Sequence, residues 1–198
     1  MQDPAVQAQR AAWRQRTARV DARRFWFLDP SGARTDLTRA YGRAPRGERV
    51  VGYVPRRHWQ ATTRLTALAH DGTTVPLVYA GGTDVPLMRA YVEQQLAAVL
   101  RPGDIVALDR LAAHKSPRVV AAIEAAGAEV WLLPPYSPDF NPVELLWAKV
   151  KAYLRQAFRD VAQVARPLWQ LIGEALRTIT PEDAAGWFAH CGYRITQT

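Results

Sequence analysis

The sequence predicts a single α/β domain, antiparallel in its first half and parallel in its second. Three observations carry this. An apolar run, Phe25-Trp26-Phe27-Leu28, is followed by further strand-like segments and an Asp71-Gly72 hairpin signal. After Pro102-Gly103 the pattern changes to strand, helix, strand, helix, an order that needs crossover connections between parallel strands. The 198 residues are 48% hydrophobic with seven Trp and seven Tyr, enough for one full core, and no repeat or low-complexity linker divides them.

The elements follow in order. Residues 5–20 read as a polar, Arg-rich helix or arm ending near Arg23-Arg24, where the first strand begins. Asp29-Pro30-Ser31-Gly32 should stop that strand, since each of these residues favours a turn. Segments 49–57 and 62–69 read as strands, and TTVPLVYA after Asp71-Gly72 completes a hairpin. From Asp84 to Leu100, apolar residues at Leu87, Tyr91, Leu96, Val99 and Leu100 have helical spacing. Then come a strand (104–109), a helix (117–126), a strand (129–133) and a helix (141–158), with helical segments near 164–178 and 181–190 closing the chain. Trp147 and Trp169 read as core residues, Asp84 and Asp104 as caps or turns, and the lone Cys191 as structural.

One cysteine excludes an internal disulfide, and no Cys/His cluster has zinc-ligand spacing. With no apolar leader at the N-terminus and no run of eighteen apolar residues, the expected setting is cytoplasmic, with no membrane partner. Net charge is +8 and concentrated: residues 1–24 carry six Arg against two Asp, and residues 34–64 carry eight Arg against one Asp and one Glu. Clustered arginine suits a polyphosphate partner, because each phosphate neutralised releases counterions; a solvated basic surface is the alternative. Arg43, Arg46, Arg49, Arg56 and Arg57 crowd into fifteen residues and are the better phosphate-contacting candidates. Lys149, Lys151 and Arg155, on the helix that begins at 141, are further candidates.

Three carboxylates stand out. Asp29 and Asp109 each follow an apolar strand, at the rim where open α/β sheets bind ligands, although either could instead start a turn or a cap. Glu144 falls in the first turn of a helix that Asn141 caps and Pro142 begins, beside the apolar stripe Val143, Leu146, Trp147, Val150 and Leu154. There it could reach back to the cap, or point at a ligand. Three acids gathered at one rim repel one another unless a cation is present. Mg²⁺ takes such hard oxygen ligands together with substrate phosphates, and a pair of ions serves in-line displacement at phosphorus.

Asp109 and Glu144 are separated by 34 residues, the second within PPYSPDFNPVELLWAKVK. With FLDPSG around Asp29, YGRAPRG (41–47), LRPGDIVALDRLAAHK (100–115) and WFAHCGY (187–193), this pattern resembles the catalytic domain of DDE transposases of the insertion-sequence-630 group, relatives of the Tc/mariner elements. The resemblance runs from about residue 21 to the end. It implies a ribonuclease H-like fold, a mixed five-stranded sheet flanked by helices, over residues 21–198, with residues 1–20 as an N-terminal arm and no helix-turn-helix region. It also implies that Asp29, Asp109 and Glu144 are catalytic and hold two Mg²⁺ ions, for which Mn²⁺ can substitute. The partners implied are transposon-end and target DNA, with a homodimer as one assembly, in a bacterial, nucleoid-associated setting. Two departures from the family pattern are Pro30, where a Glu is usual, and Arg110, where an Asn is usual. They motivate a rival reading, a truncated or inactive transposase-derived DNA-binding protein; a nuclease acting on other substrates is a third. His114-Lys115 lies close after the second strand and receives no role.

Overall fold

A computed structural model describes residues 3–34, 43–51, 61–158 and 166–196. Its centre is a five-stranded sheet in the order β3-β2-β1-β4-β5. β1 (Phe25–Arg34) pairs antiparallel with β2 (Ala61–Ala69), from Trp26↔Ala69 to Arg34↔Ala61, and β2 pairs antiparallel with β3 (Thr74–Ala80). On its other side β1 runs parallel to β4 (Ile105–Leu108), from Phe25↔Ile105 to Leu28↔Leu108, and β4 runs parallel to β5 (Glu129–Leu132). The change from antiparallel to parallel pairing falls at β1, as the two halves of the sequence predict.

β1 does not stop at Asp29. It continues through Asp29-Pro30-Ser31-Gly32, correcting the expectation of a turn there. The reason is pairing: β2 stays in register with β1 from Trp26 to Arg34, whereas β4 ends at Leu108. Beyond Leu28 the β4 side of β1 is therefore an edge, where a proline's missing N–H is tolerated. Of the strand expected over 49–57, residues 49–51 are irregular and the rest lie outside the described residues.

Side chains alternate across the sheet, so each face has its own core. Phe25, Phe27, Leu68, Ile105, Ala107 and Trp131 pack on one face under α1 (Pro4–Thr17), α4 (Pro142–Ala157), α5 (Leu168–Arg177) and α6 (Pro181–His190). Trp26, Leu28, Leu65, Ala67, Val106 and Leu108 pack on the other under α2 (Val85–Tyr91), whose end loosens into a π-turn over Val92–Leu96, and α3 (Pro117–Ala125). α4 buries Val143, Leu146, Trp147, Val150 and Leu154, the stripe its sequence spacing predicts. Trp169 is a correction: it is 60% exposed. The buried face of α5 is Leu168, Leu171, Ile172, Ala175 and Leu176, and position 169 lies one step of about 100° round from it.

α1 is built into this domain. Trp13 is buried edge-on against Trp131, with ring centroids 5.9 Å apart. Its indole N–H donates to the Tyr193 hydroxyl at 3.0 Å, and that hydroxyl donates to the Phe140 carbonyl at 2.7 Å. Asp84 caps α2 through the Leu87 N–H, and Asp104 accepts from the Trp26 indole and the Arg101 N–H. Cys191 is buried and unpaired, and burial pushes its thiol up to about 12. Among the described residues no helix is long and apolar enough to cross a membrane.

Candidate active site

The alternation that builds the two cores also fixes two acids. Phe25 and Phe27 face α4, so Asp29, two residues on, faces α4 as well; by the same parity Asp109 follows Ile105 and Ala107. The last parallel pair is Leu28↔Leu108, so Asp29 and Asp109 are the next residues on adjacent strands, at one level. Glu144 enters from above. The Asn141 side chain accepts from the Val143 N–H at 3.2 Å and Pro142 starts the helix, which places Glu144 over the strand ends. Its carboxylate accepts no hydrogen bond and forms no ion pair among the described residues, so it does not complete the cap.

All three acids line one cleft of about 320 Å³, together with Arg110, Leu111, Asn141 and residues 133–138. They share a cleft without closing into a ready-made cage: among the described residues no three His, Cys, Asp or Glu side chains are grouped tightly enough to hold a metal.

The two aspartates are in opposite electrostatic states. Asp29 is only 7% exposed; burial first, then the charges of Glu144 and Asp109, push its carboxyl up to about 8, against a small opposing effect of Lys151. For Asp109, burial pulls upward, but hydrogen bonds from His114 and the Leu111 N–H, with the histidine's charge, outweigh it and hold the carboxyl below its ordinary value. His114 is the residue the sequence reading passed over. It is completely buried, its Nδ1 lies 2.5 Å from Asp109 Oδ1, and the Leu111 N–H donates to the same oxygen at 2.9 Å. An ionised carboxylate only accepts, so Nδ1 carries the hydrogen. Both contacts fall on Oδ1, which leaves Oδ2 for the cleft. The buried Nε2 has no hydrogen-bond partner among the described residues. The available signal was position, five residues past a strand-end acid within a tight turn, but spacing alone does not reveal a ring nitrogen's target.

The other residues singled out by sequence are dispersed. Arg43, Arg46 and Arg49 are exposed in an irregular segment, whereas Arg56 and Arg57 lie outside the described residues. Lys149 forms an ion pair with Asp183 and donates to the Thr178 carbonyl at 2.9 Å, so its charge is engaged in joining α4 to α6. Lys151 is close enough to act on Asp29, and Arg155 is exposed. Arg110, which lines the cleft beside Asp109, directs its Nε to the Leu133 carbonyl at 3.0 Å. Tyr136, 92% exposed on that rim, has a positive φ of 51°, an uncommon conformation for a residue with a Cβ.

The fold is similar to the ribonuclease H-like catalytic cores of transposases and integrases. It is shared with the mariner Mos1 transposase paired-end complex with Mg, at TM-score 0.66 and 15% identity over 99% of this chain and 65% of that one. The Mos1 paired-end complex with the left transposon end gives TM-score 0.63 and 16% identity at the same coverage. The catalytic core domain of BIV integrase gives TM-score 0.51 and 14% identity over 85% of this chain and 97% of that one. The chain thus spans 65% of the length of the Mos1 chains. The chain belongs to the DDE superfamily endonucleases, whose family model matches residues 24–165. No curated protein matches its sequence significantly.

Proposed function

We propose that this chain is the catalytic domain of an insertion-sequence transposase of the insertion-sequence-630 kind, cutting DNA at an element's end and joining the freed 3′-hydroxyl to target DNA. The observation that carries this is the meeting of Asp29, Asp109 and Glu144 on one cleft in a member of the DDE endonuclease family. Their chemistry fits a divalent cation: three hard-oxygen donors, one of them, Asp29, pushed toward its protonated form by burial first and then by the charges of the other two. The three would hold two Mg²⁺ ions, or Mn²⁺. Bound there, the metal would activate the attacking oxygen and stabilise the leaving oxygen of the phosphodiester.

The chain's own residues supply the rest. The sheet fixes Asp29 and Asp109 at one level, and His114 orients Asp109 so that a single oxygen faces the cleft. Exposed Arg43, Arg46, Arg49 and Arg155, with Lys151 beside the acids, neutralise phosphates of the bound strands. The inactive reading rests on Pro30 and Arg110. Against it, Pro30 sits within a paired strand and Arg110 directs its Nε to a backbone carbonyl. DNA at both the donor and the target position, and a cytoplasmic, nucleoid-associated setting, follow from this function; a second copy would bring the two element ends together.

The test uses purified protein, labelled duplex with a pre-cut 3′-hydroxyl end, and Mg²⁺ or Mn²⁺, beside Asp109→Ala and Glu144→Ala. Metal-dependent nicking or strand transfer that both substitutions abolish is the expected result. Duplex bound but left intact by wild type under both metals, while a full-length relative cuts it, refutes the enzyme and leaves a DNA-binding remnant.

A further inference from the structure

One wall of the cleft is a single stretch of chain, residues 133–138, leading through Asn141 to Glu144. Leu133 still extends the sheet, its N–H donating to the Leu108 carbonyl at 2.8 Å, but beyond it the stretch is irregular apart from a short 3₁₀ turn at Pro138–Phe140, and among the described residues no backbone hydrogen bond of the sheet holds it. Its order comes from outside, and the central contact is Arg10 on α1.

The Arg10 guanidinium forms a fork. Nη1 donates to Ser137 Oγ at 2.8 Å and to Asp139 Oδ1 at 2.8 Å, while Nη2 donates to Asp139 Oδ2 at 2.5 Å. The fork also lies against the Phe140 ring, 4.5 Å from its centroid. The contact propagates in both directions. Ser137 Oγ donates back to the Pro135 carbonyl at 3.0 Å, closing a bridge over Tyr136, the residue with left-handed backbone. On the other side, Phe140 precedes the cap residue Asn141, and its carbonyl takes the Tyr193 hydroxyl, itself held by Trp13 of α1. α1 therefore grips the loop at two points, one through Arg10 and one through Trp13 and Tyr193, and Glu144 hangs from the end of the gripped segment.

The geometry points to Arg10 as a positioning residue for Glu144 and for the Tyr136 rim of the cleft, acting through Asp139 and Ser137. This rests on the reading of Glu144 as a metal ligand. Lysine is not equivalent here, because one ammonium cannot span both carboxylate oxygens and the serine hydroxyl in a planar fork. Asp139 is half exposed, so the contact contributes little to global stability. Its effect falls on the local geometry of the wall.

The experiment compares wild type with Arg10→Gln, Arg10→Lys, Asp139→Asn and Glu144→Ala as full chains. Three readouts are taken: hydrogen exchange of the peptide covering 133–144, Tyr- and Trp-sensitised luminescence of Tb³⁺ as the metal probe, and metal-dependent cleavage of labelled duplex. Arg10→Gln and Asp139→Asn are expected to accelerate exchange in 133–144 while the sheet peptides stay protected. Tb³⁺ affinity should weaken on the order of tenfold, the usual effect of losing a group that orients a metal ligand. Cleavage should fall in kcat with the KM for DNA unchanged, and Arg10→Lys should recover part of each loss. Wild-type exchange and wild-type Tb³⁺ affinity in Arg10→Gln overturn the proposal. So does exchange accelerated equally across the sheet, which marks a general structural role, and so does Tb³⁺ binding that is insensitive to Glu144→Ala. If wild type binds Tb³⁺ through Glu144 but cuts no DNA, the transposase reading fails, and the role of Arg10 is still decided by exchange and Tb³⁺ affinity.

Discussion

In the metal-free protein the substitution Asp29→Asn should stabilise the fold, by an amount that grows with pH. Asp29 is buried and faces two other carboxylates, so its carboxyl is pushed from 3.8 up to about 8. The sign follows from proton binding: between these values the unfolded chain has released this proton while the folded chain retains it. The favourable contribution is therefore complete below pH 3.8 and is lost progressively as pH rises through about 8. Carrying a carboxyl from 3.8 to about 8 corresponds to a ceiling of ~6 kcal/mol above pH 8, and roughly 4 kcal/mol at pH 7. Asparagine keeps the shape and removes the titration. Denaturant unfolding of both proteins in EDTA at pH 5, 7 and 8.5 should show a gap widening with pH. Saturating Mg²⁺ should then narrow it by stabilising wild type selectively, by about 2.7 kcal/mol at a hundredfold excess over Kd. A variant destabilised by the same amount at every pH would refute the reasoning, because the carboxylate would then be satisfied within the fold.

Three other outcomes follow from burial and pairing. Arg64 is 1% exposed, its Nε and both Nη atoms have no hydrogen-bond partner among the described residues, and its guanidinium lies over the Trp147 ring at 4.7 Å. Arg64→Met should raise stability by on the order of 1 kcal/mol in thermal melting, since the uncompensated buried charge outweighs the ring contact. Trp147→Ala should cost about 3–5 kcal/mol in urea unfolding, while Trp169→Ala stays within about 0.5 kcal/mol, because only the first is inside. Asp21, drawn down to about 2 chiefly by its hydrogen bond from Arg23, adds stability above pH 3.8 that is lost as pH falls through about 2. Asp21→Asn should accordingly cost about 1 kcal/mol at pH 7 and only a small fraction of that at pH 2, measured by melting at both values.

The fold was readable wherever periodicity was strong. The stripe on α4, the parallel second half and the hairpin at Asp71-Gly72 all formed as their patterns predict. Two of the acids could be placed because each directly follows a buried apolar run, even though β1 runs on past Asp29, and the third because Asn141-Pro142 fixes where its helix begins. Local propensity misled at Pro30: Asp-Pro-Ser-Gly reads as a turn, and only the partner strand, more than thirty residues away, determines that it is extended. The role of His114, the fork of Arg10 and the isolation of Arg64 are likewise contacts between distant segments. Composition showed that arginines were plentiful near both ends of β1. It could not show that one would grip a loop 127 residues away and another would be buried over the Trp147 ring of α4.

The parity of β1 and β4 divides the cleft into a fixed part and an adjustable part. Asp29 and Asp109 each directly follow the last hydrogen-bonded pair, Leu28↔Leu108, so they set out from strands held at the interstrand repeat of any β-sheet, about 4.7–4.9 Å. That spacing is a property of backbone chemistry, indifferent to which sequence surrounds it. Glu144 instead rides on a helix joined to the sheet by side-chain packing and a short proline-rich run. Sliding or tilting that helix re-dimensions the cleft without breaking a single rung of the sheet. A lineage of such proteins can thus explore different substrates by moving one wall, with two of its three acids held to the same ruler.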